Sequence, residues 1–271
     1  MSMPLFRFVG GMLATAVLVF ASAALAAEKI VIAGDPCTAP VARKLGEAFT
    51  AKSGVVVEVT QGACRSGVSG VLGKKADIGV STFNFGEGQL DASLSKTVVG
   101  KAPIVFVVNK ANPVASITKE QAARIMNGSI RNWKELGGKD APIDNVYLQP
   151  CVLETMTFET DSAGKTEGLR TIAPATKGNP MTGTNTIVAE NEGAIGLQLY
   201  GYESGDVKVL KIDGVLPSPK TVPGAYTYYE DFNIITNSAT SAPVKAFVEF
   251  ARSDEGRGIL LSWKHVPEDR G

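Results

Sequence analysis

The sequence has little of what catalytic or nucleic-acid sites usually need. Among 271 residues there is one histidine, His265, there are three cysteines, and 27 basic side chains balance 27 acidic ones. A single histidine argues against a serine–histidine dyad and against a histidine-rich zinc site. We expect His265, close to the C-terminus, to lie at the surface. Without a concentrated basic patch, no nucleic-acid partner is predicted.

Long apolar runs are also lacking, except at the N-terminus. Arg7 is the first charged side chain, and the small and apolar residues 8–27 that follow contain Ala24, Leu25 and Ala26 near their end. This layout predicts a secretory signal peptide over residues 1–26 that is cleaved near Ala26. The alternative is an uncleaved membrane anchor, but the strongly apolar stretch is shorter than the ~20 residues that a membrane span needs. We therefore expect the mature chain outside the cytoplasm.

Beyond this leader, short apolar strands alternate with segments of helical periodicity. A capping box of Thr118 and Gln121 predicts where one helix begins. Strands are predicted at 29–33, 55–60, 77–81, 104–108, 146–148, 193–197 and 232–236, and helices at 39–52, 68–72, 119–126, 154–158, 242–252 and 254–262. This alternation is typical of βαβ units and predicts an α/β fold with a largely parallel sheet.

Four blocks carry a resemblance to a known family. They are residues 76–81 (ADIGVS), 102–109 (APIVFVVN) with Asn112-Pro113 behind them, 126–138 (MNGSIRNWKELGG), and 193–196 (GAIG) followed by Tyr200 and Tyr202. In sequence and order they resemble the phosphate-type periplasmic binding proteins of ABC transporters. The resemblance implies a non-catalytic periplasmic protein, expected to be a monomer, with no resident cofactor.

The same resemblance implies the type II periplasmic-binding-protein fold, with two α/β lobes and two crossover strands. Residues 27–102 and 226–271 would form lobe 1, and residues 103–225 would form lobe 2, with crossovers near 101–103 and 223–229. The ligand cleft would lie between the lobes, where strand ends and helix N-termini meet.

The predicted ligand loops depart from the family pattern. The resemblance implies contacts from Thr38, Arg65 and Ser66 in lobe 1. In the inter-lobe loop, the family arginine is replaced by Gln149, and only Thr155 keeps a family side chain. The family aspartate that follows the Gly-x-Ser strand end is replaced by Thr82. With its arginine missing, this site is predicted to bind phosphate poorly.

The three cysteines fall in three different ligand loops: Cys37 after the first strand, Cys64 after the second, and Cys151 in the inter-lobe loop. Three convergent thiolates suit a small thiophilic species. Arsenic(III) is the first candidate and copper(I) the second, whereas zinc usually takes four ligands. The alternative is a structural Cys37–Cys64 disulfide, which an oxidising compartment permits, with Cys151 left as a free thiol.

The sequence therefore predicts capture of arsenite for sensing or transport. The alternative is uptake of phosphate or a related oxyanion, and copper(I) binding is a second alternative. The membrane partner would be a sensor histidine kinase or an ABC permease. A thiol oxidoreductase using Cys151 is the weakest hypothesis, because the chain has no Cys-x-x-Cys pair and no histidine beside a cysteine.

Overall fold

The computed structural model of the chain describes residues 28–63, 65–83, 85, 88–147, 176–177 and 183–269. The predicted signal peptide and the predicted helix at 154–158 lie outside these residues. Within the described ranges, no helix is both long enough and apolar enough to cross a membrane.

Helices and strands alternate along most of the described chain. The helices are α1 Ala39–Ser53, α2 Ser66–Leu72, α3 Lys119–Met126, α4 Gly183–Glu190, α5 Ala242–Arg252 and α6 Asp254–Ser262, with a 3-10 turn at Trp133–Leu136. The strands are β1 Lys29–Gly34, β2 Val56–Gln61, β3 Ile78–Thr82, β4 Leu94–Asn109, β5 Ser116–Ile117, β6 Asp144–Tyr147, β7 Thr176–Lys177, β8 Ala194–Leu199, β9 Val207–Val209, β10 Lys211–Ile212, β11 Tyr229–Asn237 and β12 Val266–Pro267.

The ends of α1 and α3 follow from local chemistry. Pro40 stands in the first turn of α1, where its missing N–H breaks no helical hydrogen bond, and Gly54 ends the helix in the left-handed conformation with φ 78°. The capping box of α3 is confirmed. The Gln121 backbone N–H donates to Thr118 Oγ1 at 3.0 Å, and the Thr118 backbone N–H donates to Gln121 Oε1 at 2.8 Å.

The sheet is mixed rather than largely parallel. Strand β1 pairs in parallel with β2 and β3, and β6 pairs in parallel with β8 and β7. Strand β11 is antiparallel to β3 and β4, and β4 is antiparallel to β8. The prediction of a largely parallel sheet was wrong because β11 and β4, which lie between the two parallel groups, are each antiparallel to both of their neighbours on the path.

Strand β4 joins the two groups of strands. Its residues 94–103 pair with β11, and its residues 104–109 pair with β8 and β9. The main path of hydrogen-bonded strands therefore runs without a break in the order β2-β1-β3-β11-β4-β8-β6-β7. The first predicted crossover, near residues 101–103, is part of a strand that pairs with β11 on one side of the junction and with β8 on the other.

Two large apolar clusters lie along this path. One contains Leu45 of α1 and Phe232 of β11 with residues of β1, β3, α5 and α6. The other contains Phe106 of β4 and Trp133 with residues of α3, β6 and β8. Both ends of the chain contribute to the first cluster, and the middle of the chain supplies most of the second. The lobe boundaries at residues 102 and 226 remain a prediction.

The only histidine is buried, so the expectation of a surface residue was wrong. His265 is 1% exposed, and its ring meets the Phe232 ring edge-on with centroids 5.2 Å apart. Its Nδ1 lies 2.9 Å from the Trp263 carbonyl oxygen, which suits a neutral imidazole that donates from Nδ1. Burial lowers the pKa of His265 to about 4. The C-terminal β12 holds it there by pairing with β4.

This burial predicts a loss of stability in acid. As the pH falls from about 6.5 to about 4, the unfolded chain takes up a proton at His265 that the folded chain does not bind. The free energy of unfolding should fall by roughly 3 kcal/mol over this range from this residue, at about 1.4 kcal/mol per pKa unit. Urea unfolding of the wild type and of His265→Phe at several pH values measures the effect. Equal pH dependence in the two proteins would contradict it.

Candidate functional site

The loop after β1 is organised around Asp35. Asp35 Oδ1 accepts hydrogen bonds from the backbone N–H groups of Cys37 and Thr38, at 2.8 Å and 2.9 Å, and from Thr38 Oγ1 at 3.0 Å. Thr38 is fully buried, and its hydroxyl also lies 3.3 Å from the Val80 carbonyl oxygen of β3. Thr38 therefore fixes the loop to the neighbouring strand. Its predicted contact with a ligand remains a prediction.

A second carboxyl group, Glu230, lies close to Asp35. Glu230 is 0% exposed at the start of β11 and forms a side-chain hydrogen bond with Thr82 at the end of β3. Burial raises the pKa of Glu230 well above its usual value, and the charge of Asp35 raises it further. Burial likewise raises the pKa of Asp35, although its hydrogen bonds with Thr38 and Cys37 oppose the shift. Burial and mutual repulsion therefore both oppose the simultaneous ionisation of Asp35 and Glu230.

Sequence reasoning missed both carboxyl groups. Asp35 comes directly after the first predicted strand, in the first ligand loop, and this position could have marked it as a candidate site residue. Glu230 stands beside Asp231 near the predicted second crossover, and nothing in the local pattern separates the buried acid from its half-buried neighbour. Its burial depends on distant segments, since Glu230 pairs with Ala102 of β4 and forms its side-chain hydrogen bond with Thr82 at the end of β3.

Cys37 is the described member of the predicted thiol set. It is a free thiol, is 4% exposed, and packs with the apolar cluster of the middle segment although it follows β1. Burial raises the pKa of the Cys37 thiol far above its usual value, and the charges of Asp35 and Glu230 raise it further. The thiol is therefore protonated at neutral pH. In this structure Cys37 forms no disulfide, unlike the alternative in which it is bonded to Cys64.

Tyr202, which follows β8, connects the two apolar clusters at this point. Its hydroxyl donates to the Cys37 carbonyl oxygen at 2.8 Å, and its ring lies 5.4 Å from the Trp263 ring. Burial raises the pKa of Tyr202, so the phenol keeps its proton and remains a donor. The resemblance had singled out Tyr202 without giving it a role.

Arg65 and Ser66 begin the short helix α2. Ser66 Oγ donates to the Gly34 carbonyl oxygen at 2.7 Å, which brings this loop against the end of β1. The Arg65 guanidinium lies over the Phe83 ring at 5.2 Å, and Arg65 itself is exposed. Helix α2 approaches β3 closely because Gly67 has no side chain, since a Cβ there would come within 2.5 Å of the Val80 carbonyl oxygen.

The structure thus brings Asp35, Cys37, Thr38, Thr82 and Glu230 together beside Tyr202. Arg65 and Ser66 flank them at the next strand end. Four predicted site residues lie outside the described residues: Cys64, Gln149, Cys151 and Thr155. Among the residues that the structure describes, no group of three or more potential metal ligands occurs. The three-cysteine site therefore stays a prediction.

Comparison with known proteins agrees with this architecture. Residues 21–255 match the model of the PBP superfamily domain. The chain belongs to the PBP superfamily. The structure of a Clostridium perfringens protein, described as a phosphate ABC transporter substrate-binding protein with bound phosphate, superposes on this PBP-superfamily chain with a TM-score of 0.79. That structure is 27% identical, and the match covers 89% of this chain and 100% of that one. The predicted two-lobed α/β fold class is confirmed.

Two curated relatives carry the same functional name. Phosphate-binding protein PstS of Bacillus subtilis is 28% identical over 252 residues, covering 89% of this PBP-superfamily chain and 81% of the relative. Phosphate-binding protein PstS of Borreliella burgdorferi is 25% identical, with 72% and 73% covered. These relatives are binding proteins by name. They give no support for the predicted arsenite site and fit the phosphate alternative better.

The bond from Tyr202 to Cys37 predicts a measurable contribution to stability. Tyr202→Phe removes the hydroxyl that donates to the Cys37 carbonyl oxygen. Because this hydrogen bond is lost, the free energy of unfolding should fall by about 1 kcal/mol. Tyr200→Phe is the matched control, because the Tyr200 ring contacts Lys264 through its face. Chemical denaturation of the three proteins measures the difference. Equal losses in the two variants would argue against the Tyr202 bond.

Proposed function

We propose that this chain is the extracytoplasmic solute-binding component of an ABC transporter and that it captures a small inorganic oxyanion of the phosphate type. The observation that carries the proposal is the similarity to phosphate-binding proteins over 89% of the chain. The predicted periplasmic location and the permease partner belong to this proposal. A sensor histidine kinase remains the alternative partner.

The described loops support an oxygen-rich ligand. Helix α1 begins at the carboxyl ends of β1 and β3, where a helix N-terminus and strand-end loops commonly hold anions in open α/β sheets. Ser66 and the exposed Arg65 stand at the adjacent strand end. This is the edge at which the sequence predicted ligand contacts.

The buried carboxyl groups restrict the charge of that ligand. Asp35 and Glu230 both have raised pKa values, and ionisation of either would repel an anion in a poorly solvated site. In its protonated form a carboxyl group also supplies a hydrogen-bond donor. The site therefore favours a partly protonated oxo acid over a fully ionised one.

This restriction predicts a pH dependence that Glu230 controls. As the pH rises through the raised pKa of Glu230, its negative charge appears and phosphate affinity should fall. Glu230→Gln keeps an acceptor for Thr82 and removes the charge, so its phosphate affinity should exceed that of the wild type several-fold at alkaline pH. Titration calorimetry at acidic and alkaline pH measures the phosphate affinities of the wild type and of Glu230→Gln. The ratio of the two affinities is compared between pH values, because the ionisation of phosphate affects both proteins equally and cancels.

Glu58→Gln provides the control for this comparison, because Glu58 is an exposed carboxyl group on β2 that pairs with Lys29 and does not act on the pKa of Glu230. It should leave the pH dependence of phosphate affinity unchanged. A wild-type to Glu230→Gln ratio that does not vary with pH would contradict the role given to Glu230.

Arsenite is the second candidate, and Cys37 is the observation that favours it. When arsenious acid condenses with three thiols, three As–S bonds form and each thiol proton leaves with a hydroxide as water. This exchange changes no charge, so a protonated Cys37 beside two carboxyl groups does not oppose it. Copper(I) needs thiolates, so the raised pKa of Cys37 disfavours copper(I). The site would also require Cys64 and Cys151.

Titration calorimetry on reduced protein separates the two candidates. Under the phosphate proposal, orthophosphate binds and Cys37→Ser, Cys64→Ser and Cys151→Ser each retain most of the affinity. Under the arsenite alternative, arsenite binds, orthophosphate binds weakly, and each serine variant loses most of the arsenite affinity. Binding of neither ligand by the wild type would contradict both candidates.

A further inference from the structure

One face of β8 carries a buried amide that the structure leaves without a partner. Gln198 is 1% exposed and pairs in register with Val105 of β4. Neither polar atom of the Gln198 side chain, Nε2 or Oε1, has a hydrogen-bond partner. Because strand residues alternate between faces, Gln198 shares its face of β8 with Gly196.

Helix α4 places a second such group beside this face. Thr184, in its first turn, is fully buried, and its Oγ1 also has no hydrogen-bond partner. A Cβ on Gly196 would come within 2.6 Å of Thr184 Cγ2, so α4 lies directly over this face of β8. Three unpartnered polar atoms, from Thr184 and Gln198, therefore lie on the same side of the strand.

This pair stands at the edge where the predicted ligand loops meet. Helix α4 leads into β8 through a short turn, so its N-terminus lies beside the carboxyl end of β8. Asn185 Nδ2 donates to the Tyr202 carbonyl oxygen at 2.6 Å, and the Tyr202 hydroxyl donates to the Cys37 carbonyl oxygen. These contacts connect the first turn of α4 to the carboxyl cluster beyond β1.

Buried polar side chains in folded proteins nearly always have partners, and leaving them without one is costly. A glutamine amide offers N–H donors and an oxygen acceptor, and a threonine hydroxyl offers both functions. Neither side chain is charged. Their complement is a small ligand that both donates and accepts hydrogen bonds through oxygen.

We propose that Thr184 and Gln198 form an uncharged subsite that binds the oxygen atoms of a small, partly protonated oxo acid. The subsite rests on the proposed function, in which such a ligand enters the cleft. The subsite lies on α4 and β8, so its contacts are additional to those of the cysteines and of the predicted ligand loops. It also selects for hydroxyl groups on the ligand, since a fully ionised oxyanion would leave the Gln198 oxygen without a donor.

The test uses Gln198→Leu and Thr184→Val, which remove the polar atoms and keep approximately the same volume. Orthophosphate and arsenite are the two probes, and titration calorimetry is the measurement. Each variant should lose about tenfold or more in affinity for whichever probe the wild type binds. The thermal midpoint of the ligand-free variants should stay the same or rise, because unpartnered buried groups are removed.

Gln121→Leu is the matched control, because it breaks the capping box of α3 and lowers stability at a distance from β8. It should leave ligand affinity unchanged. Loss of affinity in this control to the same extent as in Gln198→Leu would overturn the proposal, since a general loss of stability would then explain both results.

The remaining outcomes separate the subsite from the proposed function. If phosphate binds equally to the wild type and to both variants, a buried water satisfies these atoms and the subsite is wrong while the proposed function stands. If the wild type binds arsenite alone and both variants lose it while Cys37→Ser keeps it, arsenious acid binds with its hydroxyl groups intact, so the subsite stands and the phosphate proposal fails; loss in Cys37→Ser as well would mean that thiols replace the hydroxyl groups, and the subsite would be wrong. If the wild type binds neither probe, both are overturned.

Discussion

The pairing of β4 with strands on both sides is the interaction on which the rest of the structure depends. Residues 94–103 bond to β11, and residues 104–109 bond to β8 and β9. This single strand fixes the end of β8 next to the end of β1, and therefore Tyr202 next to Cys37. The C-terminal β12 adds a further pairing at Lys101. The two apolar clusters are thus joined by backbone hydrogen bonds as well as by side-chain packing.

Burial is the second constraint, and it sets the chemistry of the site. Asp35, Cys37 and Glu230 could each ionise in water, but exclusion from solvent raises all three pKa values. Burial therefore opposes the ionisation of each of the three groups. A strongly ionised ligand gains less from such surroundings than a protonated one. In the proposed subsite, the uncharged side chains Thr184 and Gln198 would likewise favour a protonated ligand.

Local signals predicted the local elements well. The apolar periodicity of α1 and the Thr118–Gln121 capping box involve residues three or four apart, and the structure has both as predicted. The first half of β4 was missed, because its exposed polar residues such as Ser95 and Lys96 conceal the strand pattern. His265 was placed at the surface because a lone histidine carries no periodic signal. Its burial depends on β12 returning to β4 from the far end of the chain.

The sequence by itself determined the α/β class, which follows from local periodicity. It also determined the family, which is recognised from short blocks in a fixed order, such as residues 102–109 and 193–196. It also indicated the strand ends at which Thr38, Ser66 and Thr82 stand. Only the tertiary structure decided that Glu230 is buried within electrostatic reach of Asp35, that Cys37 keeps a protonated thiol, and that Gln198 is buried without a partner. Each of these features depends on the packing of segments that are far apart in the chain, because that packing excludes water from the site. No local pattern can encode such burial, because desolvation is a property of the whole fold.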